Sequence, residues 1–388
     1  MKSKLLCSAV SICLLGFAAS SAPAQALNLN IGGNGVTVHG QFGGDIFGFD
    51  IDPNGDEGLL CEAVFNSDGS VHTAVETFDQ TTGAIIAVVM ESTKSSDDFV
   101  TLGVVGRSIG MVEQEHLRSL FHVARRYRLL NPLDSNELNA PWTPGLDQNH
   151  IINQVKPSQA DNDDVAVLAL DTSIPPTPLV FTSHVAANRF SDFFPITDPV
   201  FTAEGPPLIA YDNVRRQVIL GHDFPSEFTV PPRIGFLDLA TGGFTQIVGQ
   251  GFGAINGVAV DTADAVLCTD THADSGVQFY DVKTRTVLVA KLLPGAQPNT
   301  LTAAGGDIAF DPINKLFLVA QRFADGLLNN ASCIQVYDFA GEYVETVYGL
   351  EFQDGFNVFP THIALNPSRR LGFINGPNLN DSLQAFTY

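Results

Sequence analysis

The sequence predicts an all-β protein: a six-bladed β-propeller of four-stranded blades, its ring closed by an N-terminal strand that completes the last blade. Three observations carry this. Gly and Pro are spread along the whole chain, with short apolar runs between them that often end in an acidic residue, which is a strand-and-turn pattern. The runs recur with a period near 50 residues, the length of one propeller blade. One apolar run is left over at the N-terminus, and the last repeat is one run short.

The first 26 residues stand apart. Lys2 and Lys4 open the chain, an apolar run follows from Leu5 to Phe17, and Ala24-Gln25-Ala26 offers a small-x-small cleavage site. This is the pattern of a secretory signal peptide, and it predicts a mature chain of residues 27–388 in the periplasm or outside the cell. Ser11-Ile12 before Cys13 does not make a lipidation site. No later run is long and apolar enough to span a bilayer, so no membrane insertion is expected. The formal charge is −22, and removal of the two leader lysines takes it to −24. A charge of that sign argues against nucleic acid and anionic membranes as partners and favours cations. Three cysteines remain, Cys61, Cys268 and Cys333. They allow at most one internal disulfide, so the fold is expected to rest on its core rather than on cross-links.

The repeats are read as follows. A first family of runs, "IFGFD", "IGMVE", "LIAYD", "GVAVD", "DIAFD" and "HIALN", ends at Asp50, Glu113, Asp212, Asp261, Asp311 and Asn366, at spacings of 63, 99, 49, 50 and 55 residues. A second family ("LLCEAVF", "LFHVARR", "VILGHD", "VLCTD", "LFLVAQR", "LGFING") follows each member of the first. A third ("VETFD", "VLALD", "IGFLD", "VQFYD", "IQVYD", "LQAFTY") follows the second, and fourth runs such as "AIIAVVM" and "TVLVAKL" come after most of these. The near-doubled interval falls in the second unit and is read as an insert at about 127–164 in blade two. The stretch "LFHVARRYRLL" (120–130) has helical spacing taken alone. Its match to "LFLVAQR" (316–322) makes its first seven residues a strand instead. The sixth unit ends on its third strand at Tyr388, and "GVTVHG" (35–40) is the strand free to complete it and cover the open edge.

With these units in hand, the chain resembles the six-bladed propellers of the NHL and SMP-30/gluconolactonase-like superfamily. The residues that carry the resemblance are "INGVAVDTADAVLCTDTHADSGVQFYDV" (255–282), "GGDIAFDPINKLFLVAQ" (305–321) and "TAEGPPLIAYD" (202–212). The resemblance implies a divalent metal in the central channel, and motif by motif it carries the ligand roles onto Glu204, Asn256 and Asp307.

Reading the strand starts directly gives a different set. The innermost strands begin at Asp45, Ser108, Pro207, Asn256, Asp307 and His362. Asp45, Asn256, Asp307 and His362 form a candidate metal set. Their hard oxygens suit Ca²⁺, whereas His362 favours a transition metal. Polar residues at strand entries also arise simply because they meet channel water. The longest loops gather on one face, here the top, and bring Arg125, Arg126, Trp142, Glu204, His222, Asp270 and His272 there as a candidate ligand-binding surface. "DIDPNGDEG" (50–58) alternates acidic residues as calcium loops do, yet it sits where an ordinary hairpin turn is needed.

Two functions stay open. One is a secreted propeller that binds a protein or small ligand through its top face and channel. The other is a metal-dependent hydrolase of the lactonase or esterase kind, with a divalent ion polarising a carbonyl. No Gly-x-Ser-x-Gly, His-Glu-x-x-His or Cys-x-x-Cys motif is present.

Overall fold

The computed structural model describes residues 32–388 except 54, 68–70, 93–98, 106–107, 117–122, 131–136, 139–149, 160–163, 172–176, 185–188, 203–206, 223–230, 252, 272–275, 293–302, 324–330, 351–361 and 376–381. Residues 1–26, expected to be a leader, and Trp142, Glu204 and His272 lie outside the described residues. No helix among the described residues is long and apolar enough to cross a membrane.

The first strand in the chain, β1 (Gly32–Val38), belongs to the last sheet. Blade 1 is β2 (Asp45–Ile51), β3 (Glu57–Phe65), β4 (Val71–Asp79) and β5 (Ile85–Ser92). Blade 2 is β6 (Phe99–Val105), β7 (Ser108–His116), β8 (Val123–Leu130) and β9 (Glu137–Leu138). Blade 3 is β10 (His150–Pro157), β11 (Asp164–Asp171) and β12 (Pro178–His184), with two short outer pieces, β13 (Arg189–Phe190) and β14 (Phe194–Pro195). Blade 4 is β15 (Leu208–Asp212), β16 (Gln217–Gly221), β17 (Arg233–Asp238) and β18 (Phe244–Val248). Blade 5 is β19 (Ile255–Asp261), β20 (Val266–Thr271), β21 (Gly276–Asp281) and β22 (Thr286–Leu292). Blade 6 is β23 (Ala303–Asp311), β24 (Leu316–Phe323), β25 (Ala331–Asp338) and β26 (Tyr343–Leu350). Blade 7 is β27 (Ile363–Asn366), β28 (Leu371–Asn375), β29 (Leu383–Thr387) and, returning from the other end of the chain, β1.

The four-stranded antiparallel blades and the N-terminal closure are as the sequence predicts. The described strands form seven such sheets, one more than the six repeat units. Each inner strand packs on the next, from β2 through β6, β10, β15, β19, β23 and β27 and back to β2. The extra sheet comes from the second unit: what reads as an insert at 127–164 holds the end of blade 2 and the inner strand of blade 3. The reason is local. Inner strands β6 and β10 do not end in the Asp or Asn that marks the others, so a period set by acidic anchors passes over them. "IGMVE" is accordingly a second strand, and "LFHVARRYRLL" contributes a third strand, Val123–Leu130.

That terminal Asp or Asn has a local function. In the hairpin after β19, the Asp261 carboxylate accepts the Ala263 and Asp264 N–H groups at 3.0 and 3.3 Å. In the hairpin after β23, Asp311 accepts those of Ile313 and Asn314, each at 2.8 Å. The residue four places after Asp212, Asp261, Asp311 and Asn366, and after the third-strand Asp281, takes a left-handed backbone: Arg216, Ala265, Lys315, Arg370 and Arg285 have φ between 50° and 63°, and Gly83 and Gly242, after third-strand Asp79 and Asp238, do the same at 73° and 70°. Side-chain capping of the turn holds a conformation that non-glycine residues otherwise avoid. "DIDPNGDEG" joins β2 to β3, with the Asp52 N–H donating to the Glu57 carbonyl at 2.9 Å. Its Asp52 and Gly55 carbonyls accept from Asn366 Nδ2, and Asp52 also accepts from Gln80 Nε2.

The core lies between blades. Ala210, Ile219 and Phe236 of blade 4 meet Val258, Leu267 and Tyr280 of blade 5. Cys268 and Phe279 of blade 5 meet Phe310, Phe317 and Tyr337 of blade 6. The second strands β16, β20 and β28 are buried along their whole length. Cys61, Cys268 and Cys333 are each buried, and none of the three forms a disulfide with another.

Closure joins the two ends of the described chain. β1 runs antiparallel to β29, with Val38 opposite Leu383 and Gly32 opposite Thr387. The link from β1 to β2 is clamped by two fully buried carboxyls. Glu62 accepts the Phe42 and Gly44 N–H groups at 2.8 and 2.9 Å, and Glu76 accepts that of Gln41 at 2.9 Å. Gly40 leaves the room for this, since a Cβ there would lie 2.1 Å from Glu62 Oε2. Burial, with the neighbouring Glu62, pushes Glu76 up to about 7. The folded state therefore holds a proton that the unfolded chain releases near pH 4.5. The stabilisation is complete below that pH and is lost as pH rises through about 7. Glu76→Gln is expected to remove this slope. In urea titrations between pH 4.5 and 8 the wild type should lose about 1–3 kcal/mol relative to the variant, and equal slopes would exclude the clamp as its source.

Candidate functional site

Inner strands present their polar residues to the ring axis. Asp45 opens β2, Asn256 is the second residue of β19, Asp307 lies within β23, and His362 directly precedes β27. All four are half-buried. The structure brings two of them together: His362 Nδ1 lies 2.8 Å from Asp307 Oδ2. The same oxygen accepts the Ile363 N–H at 3.1 Å. Ser108 and Pro207, also expected at inner strand starts, open the second strand β7 and precede β15 respectively.

A third group joins from across the ring. Lys156, next to last in β10, places Nζ 4.0 Å from Asp307 Oδ1. Blades 3 and 6 stand on opposite sides of a seven-membered ring, so this ion pair crosses the channel. At 4.0 Å it is a charge contact without a hydrogen bond, which leaves the ammonium protons available. Burial pushes the Asp307 carboxyl up, but Lys156, His362 and the Ile363 N–H outweigh it and hold the pKa at about 2. Asp307 is thus ionised throughout the physiological range. His362 is fixed on two further sides. Its backbone N–H donates to Asn375 Oδ1 at 2.8 Å, and the Phe49 ring meets the imidazole edge to face at 5.1 Å.

These donors do not fit a divalent ion as they stand. Asp307 is already compensated by an ammonium and a histidine, and no cluster of three or more His, Cys, Asp or Glu side chains forms among the described residues. The other expected residues separate. Asp270 is not on a surface loop: it lies in β20, fully buried, and accepts from Gln321 Nε2 of blade 6 at 3.0 Å. His222 is 9% exposed just beyond β16, edge to face with Phe201. Arg125 and Arg126 lie in β8, at register positions opposite Gln114 and Glu113 of β7. Lys156 was not foreseen, because "HIINQVKP" fell within the expected insert. Its signal is the same as for the other inner strands: a short, mostly apolar run with polar residues near its end.

No protein-family model and no curated protein matches the chain. Solved structures do match. One is the β-propeller domain of Cps50 (Swd1) from Myceliophteria thermophila, at 11% identity and a TM-score of 0.56, over 91% of this chain and 99% of that one. The likeness is one of fold. At this identity it shows the propeller and carries nothing of activity, and the expected NHL or SMP-30-like membership has no match behind it.

Asp270 gives a test of the seam between blades 5 and 6. Burial drives its carboxyl well above the usual range, and both Asp270 Oδ1 and Gln321 Oε1 lack a donor. Asp270→Asn supplies an amide that donates to Gln321 while its oxygen still accepts. Thermal melts at pH 8 should show the variant more stable by about 1–3 kcal/mol, with the gain shrinking as pH falls and Asp270 takes up its proton.

Proposed function

We propose that this chain is a secreted binding propeller that takes a small anionic ligand into its central channel from the top face. The observation that carries the reading is the convergence of Lys156, Asp307 and His362 from blades 3, 6 and 7 at the ring axis. Their side chains remain 30%, 14% and 35% exposed. A fully buried cluster of this kind would be structural; a partly exposed one on rigid strands is reachable by solute. In a protein with a formal charge of −22, the Lys156 ammonium at the axis, not hydrogen-bonded to Asp307, is a local site for a carboxylate. The leader-like residues 1–26 support export. The alternative, a metal-dependent hydrolase, requires a divalent ion to displace Lys156 from Asp307.

The test is thermal melting with acetate, citrate and benzoate at matched ionic strength, for wild type and Lys156→Met. At a ligand concentration of 100 Kd the expected stabilisation is about 2.7 kcal/mol, seen as a rise in Tm with at least one carboxylate in the wild type and absent in the variant. No rise, or equal rises in both proteins, would overturn the proposal.

A further inference from the structure

The geometry points to a general-base site at the ring axis: an Asp307–His362 dyad that activates water against the carbonyl of a small ester, with Lys156 facing the charge that develops. This rests on the reading of the channel as a ligand site and goes beyond binding.

Three features set this pair apart from a casual hydrogen bond. First, the ring is oriented from every side. Asp307 holds Nδ1 at 2.8 Å, Asn375 holds the backbone N–H, and Phe49 packs the ring edge. An ionised carboxylate on Nδ1 keeps the proton on that nitrogen and leaves the Nε2 lone pair free, which is the arrangement a general base needs. Second, Nε2 has no partner among the described residues, and the side chain is 35% exposed. Third, a positive charge stands beside the dyad without being consumed by it, since Lys156 approaches Asp307 only to 4.0 Å.

The chemistry follows from these positions. His362 Nε2 takes a proton from a channel water as the water oxygen bonds to the ester carbonyl carbon. The carbonyl π pair moves onto oxygen, where the Lys156 ammonium offsets the negative charge. The carbonyl re-forms as the bond to the leaving alkoxide breaks, and that alkoxide takes the proton held on Nε2. Ester and water become acid and alcohol, and the dyad returns to its starting state. No oxidant or metal enters. His362 is the catalytic residue and Asp307 a positioning residue that fixes its tautomer.

The experiment uses p-nitrophenyl acetate and p-nitrophenyl butyrate with the purified full chain in excess EDTA. Saturable hydrolysis above the buffer rate is expected. His362→Gln should lower kcat roughly 10²-fold. Asp307→Asn should lower kcat with KM held, and His72→Gln, which removes a histidine outside the channel, should change neither. Should His362→Gln fail to fold, the wild-type rate in D₂O decides: a slower rate supports proton transfer, and an equal rate overturns it. Loss of turnover in EDTA, or equal rates in wild type and His362→Gln, would also overturn the inference. Absence of turnover alongside a carboxylate-dependent rise in Tm would sink the dyad and leave the binding reading standing; absence of both would sink the two together.

Discussion

Everything in this molecule depends on one antiparallel pairing, between β1 and β29. Six of the seven sheets draw their strands from one continuous stretch of chain, and only the seventh needs both ends. Without β1, blade 7 would expose the edge of β29, and β2 would begin without an anchored approach. The channel residues inherit this dependence. His362 sits in blade 7, its ring rests on Phe49 of blade 1, and its carboxylate partner comes from blade 6. The closing seam is thus part of the frame that aims the imidazole. The seam is strengthened from within by Tyr388, fully buried, whose hydroxyl donates to Asp311 Oδ2 of blade 6 at 2.9 Å.

A second layer of order lies on the face opposite the top loops. There the anchors cap their own turns and also tie blade to blade. Arg215 reaches the Thr262 carbonyl at 2.8 Å, Lys315 reaches Asp261 at 3.0 Å, Asn314 reaches the Pro367 carbonyl at 3.3 Å, and Asn366 reaches Gly55 at 2.9 Å. These contacts run from blade 4 through blade 7 to blade 1. The same acidic residue therefore supports a hairpin and a neighbour, which explains why the sequence repeats it so faithfully. The second strands β16, β20 and β28, buried along their whole length, complete the picture.

The fold was legible because its repeat is written in residues with a local physical duty. An Asp that caps a turn is visible in sequence; so is a leftover strand that must cover an edge. What stayed hidden was the part of the ring that does without those residues. β6 and β10 lack the anchor, and with them went the seventh sheet and Lys156. The site was half legible. Asp307 and His362 are strand-entry polar residues and were read as channel-lining, but their partner was not, because a contact across a ring leaves no trace in local spacing. Asp270 failed for the opposite reason. It looks like a loop acid beside His272, yet it lies in β20 against blade 6, where burial disfavours its charge.

The three cysteines carry a consequence for how the protein meets its surroundings. Cys61, Cys268 and Cys333 belong to blades 1, 5 and 6, and all are interior. Burial raises the Cys268 thiol and pushes that of Cys333 up to about 12. A thiol that does not ionise neither attacks a disulfide nor reacts with an alkylating agent. Among the described residues, unfolding exposes three thiols that the folded ring keeps interior. In oxidising conditions the fate of each molecule is then a race between ring assembly and random cross-linking. For the same reason, the rate at which Cys61, Cys268 and Cys333 are labelled is a direct count of how often the propeller opens.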